Sequence, residues 1–451
     1  MDEYRDEQAR ELPELEAMKE YMEDMPIPSE IDAKIWSGIR AGRRRRRRKV
    51  FSRVAAYTAC LLLLVSVVSV RFSPEVAAYV GEIPGLKPLV ELIHYDKGLE
   101  LAMDNDFMQP VGLSEERDGM KMTIDGIIAD ESRIIAFYSL ENMNGQKSVV
   151  NLQGVKLTEH LEASISHGSS DFREDWDTKQ GTIDFNFVEG VQIPDTLNVD
   201  LELKKTGEAA TSGTAWHFAI PIDKAKFEGL KETYDINQTV LVEGQKIIFG
   251  KMTVYPTRIG IEVSYDPANT KKLFYFDDLR LEDEKGEEFG SITNGVSGST
   301  LSENSQVLYL ESNYFRKPKH LYLRASSIRA LDKDKREVEV DLSHKKLLAS
   351  PDDRLTLKDI GTSAEDGQSI LIFEMKNEDT LDQNRMYSLF ESTYKDASGK
   401  SFESHMTGSS GNGSDAEYEY YIPKENYQSP LTLFIQDYPT RIHGDIDIKI
   451  K

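Results

Sequence analysis

Six consecutive arginines at residues 43–48, followed by Lys49, stand just ahead of the only long uncharged apolar run in the sequence, residues 54–70 (VAAYTACLLLLVSVVSV), which closes at Arg71. As a helix this run covers about 26 Å, slightly short of a hydrocarbon core of roughly 30 Å. Val50 and Phe51 lengthen it if Arg53 snorkels to the interface. The pattern predicts one transmembrane helix over 50–71. The basic cluster on its N-terminal side places residues 1–49 in the cytoplasm and everything after Arg71 outside the cell. A cleaved secretory signal fits less well, because about fifty residues precede the run and Ala77-Ala78 is a poor A-x-A cleavage site. A nucleic-acid patch fits less well too, since the arginines lack interleaved aromatics and abut the apolar run. Topology and contact with anionic lipid explain them better.

Charge divides the chain into three pieces. Residues 1–32 hold twelve acidic and three basic residues, residues 33–53 hold ten basic and no acidic ones, and the remainder is net −24. An exported part this acidic argues against nucleic acid or anionic lipid as its partner. Residues 72–451 are too many for one core and call for two or three domains. The single cysteine, Cys60, lies inside the apolar run, so no disulfide staples the exterior. That fits a Gram-positive surface protein.

The N-terminal piece reads as two short amphipathic helices. Leu12, Leu15, Met18, Met22 and Met25 form one stripe; Pro26 and Pro28 break it; Ser29 caps a second stripe of Ile31, Ile35 and Ile39 beside Trp36. So short a piece buries no core alone and needs a partner, and Leu15, Met18, Met22, Ile31, Ile35, Trp36 and Ile39 are the expected contacts. After the apolar run, Ser73-Pro74 opens a helical neck that reaches to about residue 110. From there the period becomes two. Met120, Met122 and Ile124 alternate with polar residues, as do Leu197 to Leu203, Val338 to Leu342 and Ile446 to Ile450. The expected class is mainly β: tandem β-sandwich domains over 111–225, 226–344 and 345–451, outside a single membrane span.

Internal echoes support repeated modules. Residues 118–139 align without a gap on 243–264, with Gly119/Gly244, Lys121/Lys246, Arg133/Arg258, Ile134/Ile259 and Ser139/Ser264 coinciding. Residues 255–259 and 438–442 share YPTRI, and 283–289 and 396–402 share D-x-x-G-x-x-F, a hairpin-turn pattern.

No catalytic constellation is visible, and the chain reads as a non-enzyme with no cofactor and no metal. Its eight histidines form no zinc spacing, and there is no G-x-S-x-G elbow. Residues 408–413 (GSSGNG) read as a hairpin tip rather than a phosphate loop. Asp104, Asn105 and Asp106 read as a capping cluster rather than a calcium loop. Trp176 and Trp216 read as core.

The stretch 72–102 resembles the membrane-proximal domain of a family of single-pass proteins from Gram-positive spore formers, described as negative effectors of extracytoplasmic-function (ECF) sigma factors. The motifs S-P-x-V-A-x-Y, I-P-G-L and D-K-G-L stand at residues 73–79, 83–86 and 96–99, and the strand pair within 119–138 fits as well. Residues 228–342 resemble the immunoglobulin-like companion domain of that family. The resemblance implies an anti-sigma role with an ECF sigma factor as partner. The chain lacks the His-x-x-x-Cys-x-x-Cys motif of many anti-sigma domains, so such a contact would be zinc-free. A surface-adhesive or wall-binding protein with no regulatory role is the alternative, and an exported hydrolase a distant third.

Overall fold

The computed structural model describes residues 92–451 except 146–149, 170–175, 206–213, 293–295, 364–366, 378, 384 and 413–414, together with Lys19 alone in the N-terminal part. The chain divides into two units, 1–84 and 85–451. The expected cytoplasmic helices, the transmembrane helix and most of the neck therefore lie outside the described residues. Among the described residues no helix is long and apolar enough to cross a membrane.

The described part is mainly β, with one α-helix, α1 (Lys97–Asp104). Asp96 caps it, its Oδ1 accepting from the Leu99 N–H at 3.1 Å, and Asn105 closes it by donating from its side chain to the Leu101 carbonyl at 2.8 Å. The Asp104–Asp106 cluster is thus a helix terminus. Eight residues make no stable helix in water, so α1 depends on what it packs against.

The first module contains β1 (Gln109–Arg117), β2 (Met120–Ala129), β3 (Arg133–Asn142), β4 (Val150–Leu157), β5 (Ala163–Ser169), β6 (Thr178–Phe187), β7 (Thr196–Lys205) and β8 (Thr214–Pro221). They form an antiparallel sheet β1-β2-β3-β6-β5 facing a second sheet β4-β7-β8. The alternating residues of β2 and β7 meet in one core, which also takes Trp176 and Trp216. Both tryptophans are structural, as their neighbours predicted.

The second module contains β9 (Glu232–Val242), β10 (Gln245–Val254), β11 (Arg258–Tyr265), β12 (Lys271–Phe276), β13 (Arg280–Asp283), β14 (Glu288–Phe289), β15 (Gly298–Ser302), β16 (Ser305–Glu311) and β17 (Leu321–Asp332). One sheet runs β15-β16-β11-β10-β9, the other β12-β17-β13-β14. The third module is built from β18 (Glu337–Asp341), β19 (Lys346–Ala349), β20 (Leu355–Thr362), β21 (Ser369–Lys376), β22 (Phe390–Lys395), β23 (Ser401–Glu403), β24 (Thr407–Asn412), β25 (Asp415–Ile422) and β26 (Leu431–Ile435). Its sheets are β19-β18-β26-β22-β23 and β20-β21-β25-β24. The glycines and serines expected at a hairpin tip lie mostly within β24, paired with β25 from Thr407↔Tyr420 to Asn412↔Asp415.

The last strand, β27 (Arg441–Lys449), does not join the third module. It pairs antiparallel with β17, and its Ile442, Ile446 and Ile448 enter the second core. The third module is thus inserted between two neighbouring strands of the second, where the sequence expectation ran it from 345 to 451. Phe274 and Leu331 of the second module complete the third core, so these two modules share apolar surface.

Candidate functional site

Two short motifs distant in sequence meet where the first two modules adjoin. Asp96-Lys97-Gly98-Leu99 begins α1, and residues 255–259 turn β10 into β11. Leu99 and Ala102 of the helix enter the first core while Leu101 enters the second. Each leucine buried this way contributes roughly 2 kcal/mol. The backbones come very close at Gly98: a Cβ there would lie 2.6 Å from the Ser312 nitrogen and 2.7 Å from the Thr257 carbonyl oxygen. Only glycine fits.

A chain of buried polar groups runs through the same junction. Asp96 receives Nη2 of Arg133 at 2.9 Å, and both are buried. The Asp130 Oδ1 accepts from the Ser132 and Arg133 backbones at 2.8 and 3.0 Å. Its Oδ2 accepts from the Thr257 N–H at 2.8 Å and hydroxyl at 2.5 Å, crossing from one module to the other. Arg258 crosses back, donating to the Ser132 hydroxyl at 3.1 Å, the Ser132 carbonyl at 2.8 Å and Asn186 Oδ1 at 2.5 Å. Its guanidinium lies 3.7 Å from the centre of the Tyr309 ring.

The two arginines, equivalent in the sequence repeat, are held differently. Burial disfavours the Arg133 charge, but Asp184 and Asp96 outweigh that and hold its proton more firmly than usual. Arg258 donates only to neutral groups, and burial lowers its pKa below the ordinary guanidinium value.

Beside this junction the outer face of the β10-β11-β16-β15 sheet and the loop 187–193 of the first module enclose a cleft of about 780 Å³. Its floor is Gly260, Thr253, Arg258 and Tyr309. At Gly260 the neighbouring side chains close in over the backbone: a Cβ placed there would stand 3.2 Å from Val307 Cγ1 and 3.6 Å from the Tyr309 ring. Lys251 spans the opening, pairing with Glu189 of the first module at 2.9 Å and Glu262 of the second at 3.2 Å. Lys231 pairs with Glu131 at 2.5 Å. Val188 and Leu301 stand exposed at the rim.

The third occurrence of the arginine, Arg441, lies where the second and third modules join. It bonds Asp277 from Nε at 2.7 Å and grips Asp382 of the third module with both terminal nitrogens. Arg329 reaches Asp437 at 2.5 Å, and Arg385 also contacts Asp277. Burial drives the Asp437 carboxyl up to about 7, although Arg329 pulls against it.

The seven residues expected to contact a partner, Leu15, Met18, Met22, Ile31, Ile35, Trp36 and Ile39, lie outside the described residues. Among the described residues no cluster of His, Cys, Asp and Glu could hold a metal ion. The cleft was not anticipated from sequence. The signal that bears on it was the Arg133/Arg258 correspondence, which marks a turn but does not show that two such turns face each other.

Residues 45–142 match the family described as "Domain of unknown function (DUF4179)" and residues 231–358 that described as "Family of unknown function (DUF5643)". No curated protein matches the chain. A solved structure titled "The crystal structure of the conserved domain protein from Bacillus anthracis" is similar at 16% identity, covering 54% of this chain and 84% of that one. Its TM-score is 0.38, a level at which two chains need not share a fold. The chain therefore carries two domains of unknown function on a mainly β body.

Proposed function

We propose that the chain is a single-pass membrane regulator, an anti-sigma factor whose cytoplasmic arm holds an ECF sigma factor and whose β body senses an envelope signal. The observation that carries this is the order of features along the sequence: an acidic amphipathic arm, a polybasic run, an apolar span, then a large acidic body. On this reading the second module is the immunoglobulin-like companion domain of the family that residues 72–102 resemble. The helix α1 adds support. It lies within the neck and is gripped by both of the first two modules through Asp96 and Gly98. A change in how those modules meet would reach the neck without further parts.

The test is capture of the tagged full chain from detergent-solubilised membranes. The expected result is co-purification of an ECF sigma factor, lost on Trp36→Ala or Ile35→Asp. Protease added to intact protoplasts should digest the body and spare the arm. An arm that holds no sigma factor, together with a body that binds cell-wall polymer, would favour the adhesive alternative, to which the cleft between the modules also lends itself.

A further inference from the structure

We infer that the cleft between the first and second modules is a binding site for an uncharged oligosaccharide. Its volume, about 780 Å³, falls in the range of small-ligand sites. Four glutamates and four basic side chains line it. Lys251 is paired with Glu189 and Glu262, and Lys231 with Glu131. Walls neutralised in this way have no Coulomb preference for a ligand of either sign. What they offer instead is donors and acceptors side by side. A sugar hydroxyl accepts from the Lys251 ammonium and donates to the Glu262 carboxylate at once, using both of its capacities. The same sheet adds the Tyr309 and Ser299 hydroxyls, 3.5 Å apart. Exposed Val188 and Leu301 at the rim suit the C–H faces of pyranose rings. An extended peptide would need the free edge of β15 more than these paired charges, so hydroxyl chemistry is favoured.

The inference takes from the proposed function only that this face lies outside the cell. It is tested without any sigma factor, so the two readings fail separately. The experiment is calorimetric titration of the full chain in detergent micelles with maltohexaose, cellohexaose and chitohexaose, beside hexagalacturonate and an extended Ser/Thr-rich peptide. At least one neutral hexasaccharide should bind. Glu262→Gln should weaken it about tenfold through loss of a charged hydrogen bond, and Gly260→Leu should abolish it by displacing Val307 and Tyr309, which line the cleft. Glu403→Gln, on the third module, should leave affinity unchanged. Failure of all three neutral sugars to bind, or binding of only the charged sugar or the peptide, overturns the inference. So does unchanged affinity in Glu262→Gln, which decides the matter even if Gly260→Leu does not fold.

Discussion

At the scale of single residues, one arginine position recurs three times and is solved three ways. Arg133 meets two carboxylates, Arg441 meets two carboxylates from different modules, and Arg258 meets only neutral acceptors and an aromatic face. Each arrangement offsets part of the cost of burying a guanidinium, though Arg133 Nε, 3.6 Å from Asp184, is left without a hydrogen bond. Next to Arg441, Asp437 makes stability depend on pH. Its carboxyl titrates near 7 when folded and near 4 in an unfolded chain. Between those values the native state keeps a proton that the unfolded state releases. Stability from this group is therefore full below about pH 4 and declines through neutrality, by about 1 kcal/mol per pH unit. Urea denaturation of the full chain at pH 5 and pH 7 should show the decline, and Asp437→Asn should flatten it.

At the scale of elements, the hairpins were the part most legible in the sequence. The aligned stretches 118–139 and 243–264 fold as β2-β3 and β10-β11. They share a turn glycine at positive φ, 72° for Gly119 and 77° for Gly244, and an irregularity in register after the aligned Ile124 and Phe249. The D-x-x-G turns match as well: Asp283 Oδ1 accepts from the Lys285 and Glu287 backbones as Asp396 Oδ1 does from Ser398 and Lys400. Such features are local, written in residues two to four apart, and so a single sequence shows them. The role of α1 was not legible, because Gly98 is an ordinary helix-start residue until its neighbours Thr257 and Ser312 are known. Gly98→Ala should cost about 2 kcal/mol or more by forcing the helix off the second module. Thermal unfolding of the variant checks this, with Ala102→Gly as a comparison that weakens the helix without a clash.

At the scale of the whole molecule, the mainly β character followed from the strand-period alternation, but the connectivity did not. The alternation at 446–450 announces a strand and says nothing of its partner. Pairing of β27 with β17 is a contact across the entire third module, and periodicity carries no information at that range. The cleft was hidden for the same reason, since its two walls come from different modules. The insertion makes its own prediction. The Ala330 N–H donates to the Thr440 carbonyl at 2.9 Å, so β17 ends beside the point where β27 begins. Replacing residues 333–437 by a short turn should leave the first two modules with one cooperative melting transition, at lower temperature because Phe274 and Leu331 lose their cover. Calorimetry that shows no such transition would mean that the second module needs its insert to fold.

The return of β27 also sets an order of events for a growing chain. A ribosome releases β17 well before β27, and the whole inserted module must emerge between them. Until then the newborn second module shows an open flank at Leu323 and Ile328, side chains that the completed protein encloses. A chaperone or a translocation channel that shields this flank during synthesis would protect the nascent polypeptide at its most adhesive stage.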